Sequence, residues 1–322
     1  MKILLTGSEG NIGRRLVPYL KSKGYQVFRF DIKQGWADDY MVGNICTSHE
    51  LHLAFDRFKP DAVYHMAAMV SRVTCEASPA YTAEVNLAGV QNVIQLCLKH
   101  KARMIYFSTS EVYGNLGGEL KEEADCKPNN FYGLTKYQGE KLVEYAVKNN
   151  GLQAVTVRPF MFYDEYEDLG EHRSAMIRFA EGLIKREKIT IHAGAMRSWM
   201  HIDDAVKALE KCLFVKNYDI INIGHPEVIS VDELADEMCE QLGIFKEGFI
   251  KTMALPEKMT LTKFPNLDKQ TKVLKVVPQV TLKEGIKRVI DEVKKKVIVD
   301  KPVGWRDISS SQYWISSVSD EV

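Results

Sequence analysis

Tyr132 and Lys136 stand four residues apart, with Thr109 upstream, and near the start of the chain runs Gly7-Ser-Glu-Gly10-Asn11-Ile12-Gly13. On a helix, residues four apart share one face, so phenol and ammonium would lie together. Both a neighbouring ammonium and a cationic nicotinamide ring favour tyrosinate over tyrosine. They would draw the Tyr132 pKa down from about 10 towards working pH, where a phenolate acts as a general base. Combined with a dinucleotide site, that is machinery for removing a hydride from a carbon bearing a hydroxyl.

Tyr19 with Lys23 and Tyr137 with Lys141 repeat the spacing, so position must decide among them. Tyr132 opens a helix just after Pro128-Asn-Asn-Phe131, and a first-turn residue can point into a cleft. Tyr19 belongs to the first helix, and Tyr137 falls where a side chain packs or meets solvent.

The elements needed to place these groups are legible. Lys2–Thr6, Gln26–Phe30, Ala62–His65, Arg103–Ser108 and Ala154–Arg158 read as buried strands. Segments near 11–23, 48–58, 79–100 and 132–149 read as the helices between them. Such alternation predicts a parallel sheet covered on both faces, an α/β doubly wound (Rossmann) fold with right-handed crossovers. Beyond Pro159 the pattern loosens into an aromatic, polar stretch, then helices near 174–187 and 202–215 and a strand at Ile220–Ile223. Ser230-Val-Asp-Glu233 and Thr281-Leu-Lys-Glu284 are capping boxes that start helices at 231 and 282. The expected division is a dinucleotide domain of 1–160 plus about 198–224, and a smaller C-terminal α/β substrate domain of about 161–197 plus 225–296. Residues 297–322 form a tail carrying Trp305, Tyr313 and Trp314.

Gly7, Gly10 and Gly13 follow a strand and open a helix, where a backbone can turn tightly and approach a pyrophosphate at the helix N-terminus. Asp31 ends the second strand, where a carboxylate accepts hydrogen bonds from the ribose hydroxyls and repels a 2′-phosphate. The cofactor expected is therefore NAD.

The 322 residues are 45% hydrophobic with zero formal charge, which suits a globular protein and gives no bulk attraction to nucleic acid or anionic membrane. No apolar stretch approaches the roughly 20 residues that span a bilayer, and no signal-peptide pattern opens the chain, so a cytoplasmic location is expected. Six scattered cysteines without Cys-x-x-Cys read as free thiols, and the histidines do not suggest a metal site.

With these residues placed, the chain resembles the extended short-chain dehydrogenase/reductases, the NAD-dependent nucleotide-sugar epimerases and dehydratases, over roughly residues 1–295. Asn44-Ile45 resembles the family's Asp-Ile contact to adenine. His65-Met66-Ala67-Ala68 resembles the segment beside the pyrophosphate, and Asn86 the asparagine that stabilises the central sheet. Ser108-Thr109-Ser110-Glu111-Val-Tyr-Gly114 matches the strand end carrying the catalytic hydroxyl. Arg158-Pro159 resembles the segment beside the nicotinamide, and Arg197-Ser-Trp-Met-His-Ile-Asp-Asp204 the stretch whose arginine binds the substrate diphosphate.

The resemblance implies that Tyr132 takes the proton of the sugar 4-hydroxyl, Lys136 holds the nicotinamide ribose and lowers the tyrosine pKa, and Thr109 orients the substrate oxygen. It makes Glu111 the base for the proton on sugar carbon 5, with Ser110 beside it where some dehydratases carry an acid. A 4,6-dehydratase is thereby preferred to a 4-epimerase, with uronic-acid decarboxylation and net dehydrogenation as further alternatives. Met161 replaces the family's substrate-binding asparagine, so Met161 and Arg197 are the expected substrate contacts beside Thr109 and Ser110. A homodimer through the helices near 79–100 and 132–149 is implied as well.

Overall fold

Seven short apolar runs build one parallel sheet: β1 (Lys2–Thr6), β2 (Gln26–Asp31), β3 (Tyr40–Val42), β4 (Ala62–His65), β5 (Arg103–Phe107), β6 (Ala154–Pro159) and β7 (Ile220–Ile223). The computed structural model describes residues 1–170, 174–255 and 259–299, so most of the expected 297–322 tail lies outside the described residues. The strand order is β7-β6-β5-β4-β1-β2-β3, with Ile3 opposite both Val27 of β2 and Ala62 of β4. The order reverses at β1, and the crevice beyond the carboxyl ends of β1 and β4 is where such sheets bind ligands.

Both faces of the sheet are covered, which is why the strands read as unbroken hydrophobic runs. Leu16, Val17 and Leu20 of α1 (Asn11–Ser22) pack with Ile3, Leu5 and Tyr64 on one face. On the other, α2 (Ser48–Phe58), α3 (Gly89–His100) and α4 (Phe131–Asn150) meet Leu4, Val63, Met104 and Tyr106. The sequence reading missed β3, a three-residue edge strand with one buried side chain, too short to show a period. The helix expected over 79–100 is present but contains a π-turn at Glu84–Ala88, which holds Asn86. The capping box forms as expected: Ser230 Oγ accepts from Glu233 N at 3.0 Å while Glu233 accepts from Ser230 N at 2.7 Å.

The later residues have a core of their own, where helices Ala175–Ile184, Val231–Leu242 and Leu282–Val299 pack around Trp199, Ile189 and Ile191. A second sheet runs Val228–Ser230, Met196–Ser198, Thr262–Pro265, Gly118–Leu120. Its last strand follows directly on the segment after β5, so late residues are carried to the expected reaction centre. Among the described residues no helix is long and apolar enough to cross a membrane, and all six cysteines are free thiols.

Candidate active site

A cleft of about 550 Å³ lies at the carboxyl edge of the sheet, within the range of small-molecule sites. Gly7, Gly10, Asn11, Ile12, Gly13, Asp31, Asn44, Ile45, Met66, Ala67, Ala68, Ser108, Thr109, Tyr132, Lys136 and Pro159 all line it. The topology therefore brings together nearly every residue expected at the dinucleotide.

The glycine turn suits that ligand. Gly7 has φ +73°, and a Cβ there would meet Ala67 N at 2.6 Å, while a Cβ at Gly13 would meet Ser8 O at 2.4 Å. Gly10 caps α1 and faces open space, with nothing nearer than Gly7 O at 3.3 Å, which leaves room for a pyrophosphate. Asp31 accepts from Glu9 N at 2.9 Å and Lys33 N at 3.1 Å, which fixes its carboxylate at the rim. Basic groups that could hold a 2′-phosphate are engaged elsewhere: Lys33 Nζ on Glu9 O at 3.1 Å, Arg14 on Asp168 at 3.0 Å. Buried Ser108 Oγ in the cleft wall has no hydrogen-bond partner among the described residues, a polar atom left for a ligand.

Asn86 does not line the cleft; it ties two cleft walls together. Its side chain accepts from Met69 N at 2.8 Å and donates to Met69 O and to Thr135 Oγ1, both at 3.0 Å. Thr135 in turn donates to Tyr132 O, so the loop after β4 is fastened to the first turn of α4.

Asn130 caps α4 through Gly133 N at 2.8 Å and so aims its first turn. It also donates to the Glu111 carboxylate at 2.9 Å. The Thr109 hydroxyl is hydrogen-bonded to Tyr132 and accepts from Glu111 N at 3.2 Å. Lys136 lies one turn on, its ammonium 4.6 Å from the centroid of the Tyr106 ring.

The electrostatics depart from expectation. Burial pushes the Tyr132 hydroxyl up to about 12, outweighing the lowering from Thr109, and the Glu111 charge adds to the rise. Burial also brings the Lys136 ammonium down to about 7, with Glu140 and Cys75 opposing. In the protein alone the lysine does not bring the phenol down; loss of water around both groups dominates.

Glu111 and Ser110 follow cleft-lining Thr109 in the turn after β5. Burial would raise the Glu111 carboxyl, but Lys263 Nζ at 2.7 Å holds it below the usual carboxylate range, helped by Arg72 and Asn130. Ser110 is buried in the short turn between Thr109 and Tyr113. Asn130 was not foreseen, although an asparagine just before a helix is a capping signal.

Two expected substrate contacts, Arg197 and Met161, have partners within the protein. Arg197 donates to the carbonyls of Met196 (2.7 Å), Leu261 (3.1 Å) and Thr260 (2.8 Å), which occupy both terminal nitrogens behind the cleft. Met161, at φ +34°, packs against the core of the later residues, and its carbonyl accepts from Met200 N. The competing pair Tyr137 and Lys141 lies off the cleft, with Lys141 bound to Glu144 at 3.0 Å.

The aromatic, polar stretch beyond Pro159 reaches the cleft beside α1. The acidic segment Asp164-Glu-Tyr-Glu-Asp168 crosses α1, and its Asp164 and Glu167 line the cleft. Arg15 reaches Asp164 at 3.7 Å and Asp203 at 2.8 Å, and lies 4.9 Å from the Tyr166 ring centroid. Lys296 donates to the carbonyls of Glu165 (3.1 Å) and Glu167 (2.8 Å). Partly exposed pairs like these are each worth up to about 1 kcal/mol, so Arg15→Ala is expected to speed dinucleotide release by roughly fivefold. Stopped-flow displacement measures it; an unchanged off-rate would show that this segment does not retain the ligand.

The model of the NAD-dependent epimerase/dehydratase family matches residues 3–224. A putative UDP-glucose 4-epimerase of Methanocaldococcus jannaschii is 26% identical over 303 residues, 91% of this chain and 98% of that protein. A UDP-N-acetyl-alpha-D-glucosaminuronate decarboxylase of Bacillus cytotoxicus is 26% identical over 313 residues, 90% and 96%. The UDP-glucose 4-epimerase of Thermotoga maritima, solved with UDP-glucose, superposes with a TM-score of 0.85 at 24% identity, covering 92% of this chain and 100% of that one. With a glycine turn, a strand-end carboxylate and a hydroxyl–tyrosine–lysine set in one cleft, the chain belongs to the NAD-dependent epimerase/dehydratase family.

Proposed function

We propose that this NAD-dependent enzyme oxidises the sugar of a nucleotide sugar transiently at carbon 4 and then removes water across carbons 5 and 6. The observation that carries the first step is the Thr109–Tyr132 hydrogen bond in the cleft wall, with buried Lys136 one helical turn away. The two relatives at 26% identity, named for UDP-sugar substrates, support the substrate class.

Thr109 orients the 4-hydroxyl, Tyr132 accepts its proton, and the Lys136 ammonium offsets the phenolate charge. NAD, when bound, supplies a hydride acceptor that later gives the hydride back, and a positive charge that favours the tyrosinate. The ketone formed at carbon 4 acidifies the C–H bond at carbon 5. Glu111, ionised at neutral pH, takes that proton; the C–H electron pair becomes the C5–C6 double bond as the C6–O bond breaks. The leaving hydroxide takes a proton from the Lys263 ammonium, which sits 2.7 Å from Glu111, and water departs.

A second reading, loss of carbon dioxide from a uronic acid, draws on the charges around Glu111. Lys263, Arg72 and Arg197 all act on this region, a cationic setting that suits a sugar carboxylate. Product mass decides: loss of one water supports dehydration, loss of one carbon dioxide supports decarboxylation, and unchanged mass with inverted stereochemistry supports epimerisation. Thermal shift with UDP-, GDP-, CDP- and dTDP-sugars selects the nucleotide, since a ligand of the native state raises its Tm.

Glu111→Gln is expected to slow loss of water from the sugar by about 10²–10⁴-fold while oxidation at carbon 4 continues. Solvent deuterium entering carbon 5 reports the step; a variant that exchanges and dehydrates at the native rate removes Glu111 from the mechanism.

A further inference from the structure

Burying an ammonium is expensive unless something replaces its water. The carboxylate that acts on Lys136, Glu140, is already held by Arg158 through bonds of 2.9 and 2.7 Å. What Lys136 has instead is the face of Tyr106, 4.6 Å from ring centroid to Nζ. An aromatic face is negative and attracts a desolvated cation.

The contact is built from several directions. Tyr106, fully buried on β5, donates its hydroxyl to Lys136 O at 3.2 Å, so one residue holds both the backbone and the charge of the lysine. A Cβ at Gly139 would sit 2.1 Å from the Tyr106 hydroxyl; the missing side chain is what admits the phenol to the groove of α4. On the strand beside it, the His65 ring lies 6.1 Å from the Tyr106 ring at 26° and its Nδ1 is bonded to Thr6 Oγ1 at 2.8 Å. Burial brings His65 down to about 3, so a neutral imidazole, not a second cation, faces the lysine.

We propose that Tyr106 is a positioning residue for the reaction: its ring keeps the Lys136 ammonium charged, and its hydroxyl fixes that ammonium at the cleft wall. This rests on reading Lys136 as the cation that offsets the Tyr132 phenolate. Glu140, Cys75, His65 and Tyr132 are the other titratable groups facing Lys136, and none supplies an unengaged anion at neutral pH.

The test compares Tyr106→Leu, Tyr106→Phe, Gly139→Ala and Lys136→Met by kcat against pH, with Tm and bound NAD measured alongside. Tyr106→Leu should lose about tenfold in kcat at neutral pH, and its alkaline limb should move down by about one pH unit as Lys136 gives up its proton more readily. Tyr106→Phe keeps the ring and should recover most of that loss. Gly139→Ala pushes the phenol away and should shift the limb in the same direction as Tyr106→Leu. An unmoved limb in Tyr106→Leu, even with a lowered Tm, overturns the proposal; so does Tyr106→Phe behaving like Tyr106→Leu. If Tyr106→Leu does not fold, the limb of Gly139→Ala decides in its place. Lys136→Met retaining turnover would instead sink the reading of the lysine itself, an outcome separate from the others.

Discussion

Tyr132→Phe is expected to lower kcat by about 10²–10⁴-fold, the range that a positioned general base contributes. The ring and its packing stay, and the lost hydrogen bond to Thr109 is worth only about 1 kcal/mol, so folding should change little. Burial raises the Tyr132 hydroxyl, so the reactive phenolate is the scarcer form at neutral pH. In the native enzyme kcat should therefore rise with pH on the limb governed by Tyr132. Single-turnover absorbance of reduced NAD isolates the oxidation step. A phenylalanine variant that still forms it within a few fold of the native rate would remove Tyr132 as the base.

Glu140→Ala is expected to be the most destabilising single change near the site. Arg158 and Glu140 are 2% and 1% exposed, joined by two short bonds, and the guanidinium also donates to Tyr113 Oη at 2.9 Å and Glu122 O at 3.0 Å. Burial disfavours the Arg158 charge, but Glu140 more than reverses this and holds its proton firmly. Removing the carboxylate leaves a buried, unpaired cation, which costs about 3–5 kcal/mol. For a chain of this size that is a fall in Tm of roughly 4–7 °C, readable by calorimetry. Replacing both partners, Glu140→Leu with Arg158→Met, should recover much of the loss, because no charge is then stranded. A Tm unchanged by Glu140→Ala would show that Arg158 finds water or another anion. The same result bears on a detail of the resemblance: Arg158, next to cofactor-lining Pro159, faces the core and not the cleft.

Much of the cofactor half was readable in advance, since its signals are local. Gly7, Gly10 and Gly13 act through the backbone of one turn, Asp31 through its place at a strand end, and Tyr132 with Lys136 through helical spacing. The sheet follows from runs such as Ile3-Leu4-Leu5 that can be satisfied only when both faces are covered. The substrate half was less legible. Arg197 reads as an anion binder by motif, yet three carbonyls from two segments meet it in the folded chain. Met161 sits in a position that motif alone would aim at substrate, and in the folded chain it has a left-handed φ and packs on a neighbouring core.

What the residue order alone determined is the machinery whose parts are close in the chain: the glycine turn, the parallel sheet, and a tyrosine and lysine on one helical face. What only the tertiary structure decided is every property set by distant packing. Lys263 meets Glu111 across 152 residues, the acidic segment finds Arg15, and Tyr106 takes its place under Lys136. The proton affinities of Tyr132 and Lys136 belong to this second group, because they depend on how much water the surrounding chain removes, and spacing along a helix carries no record of that.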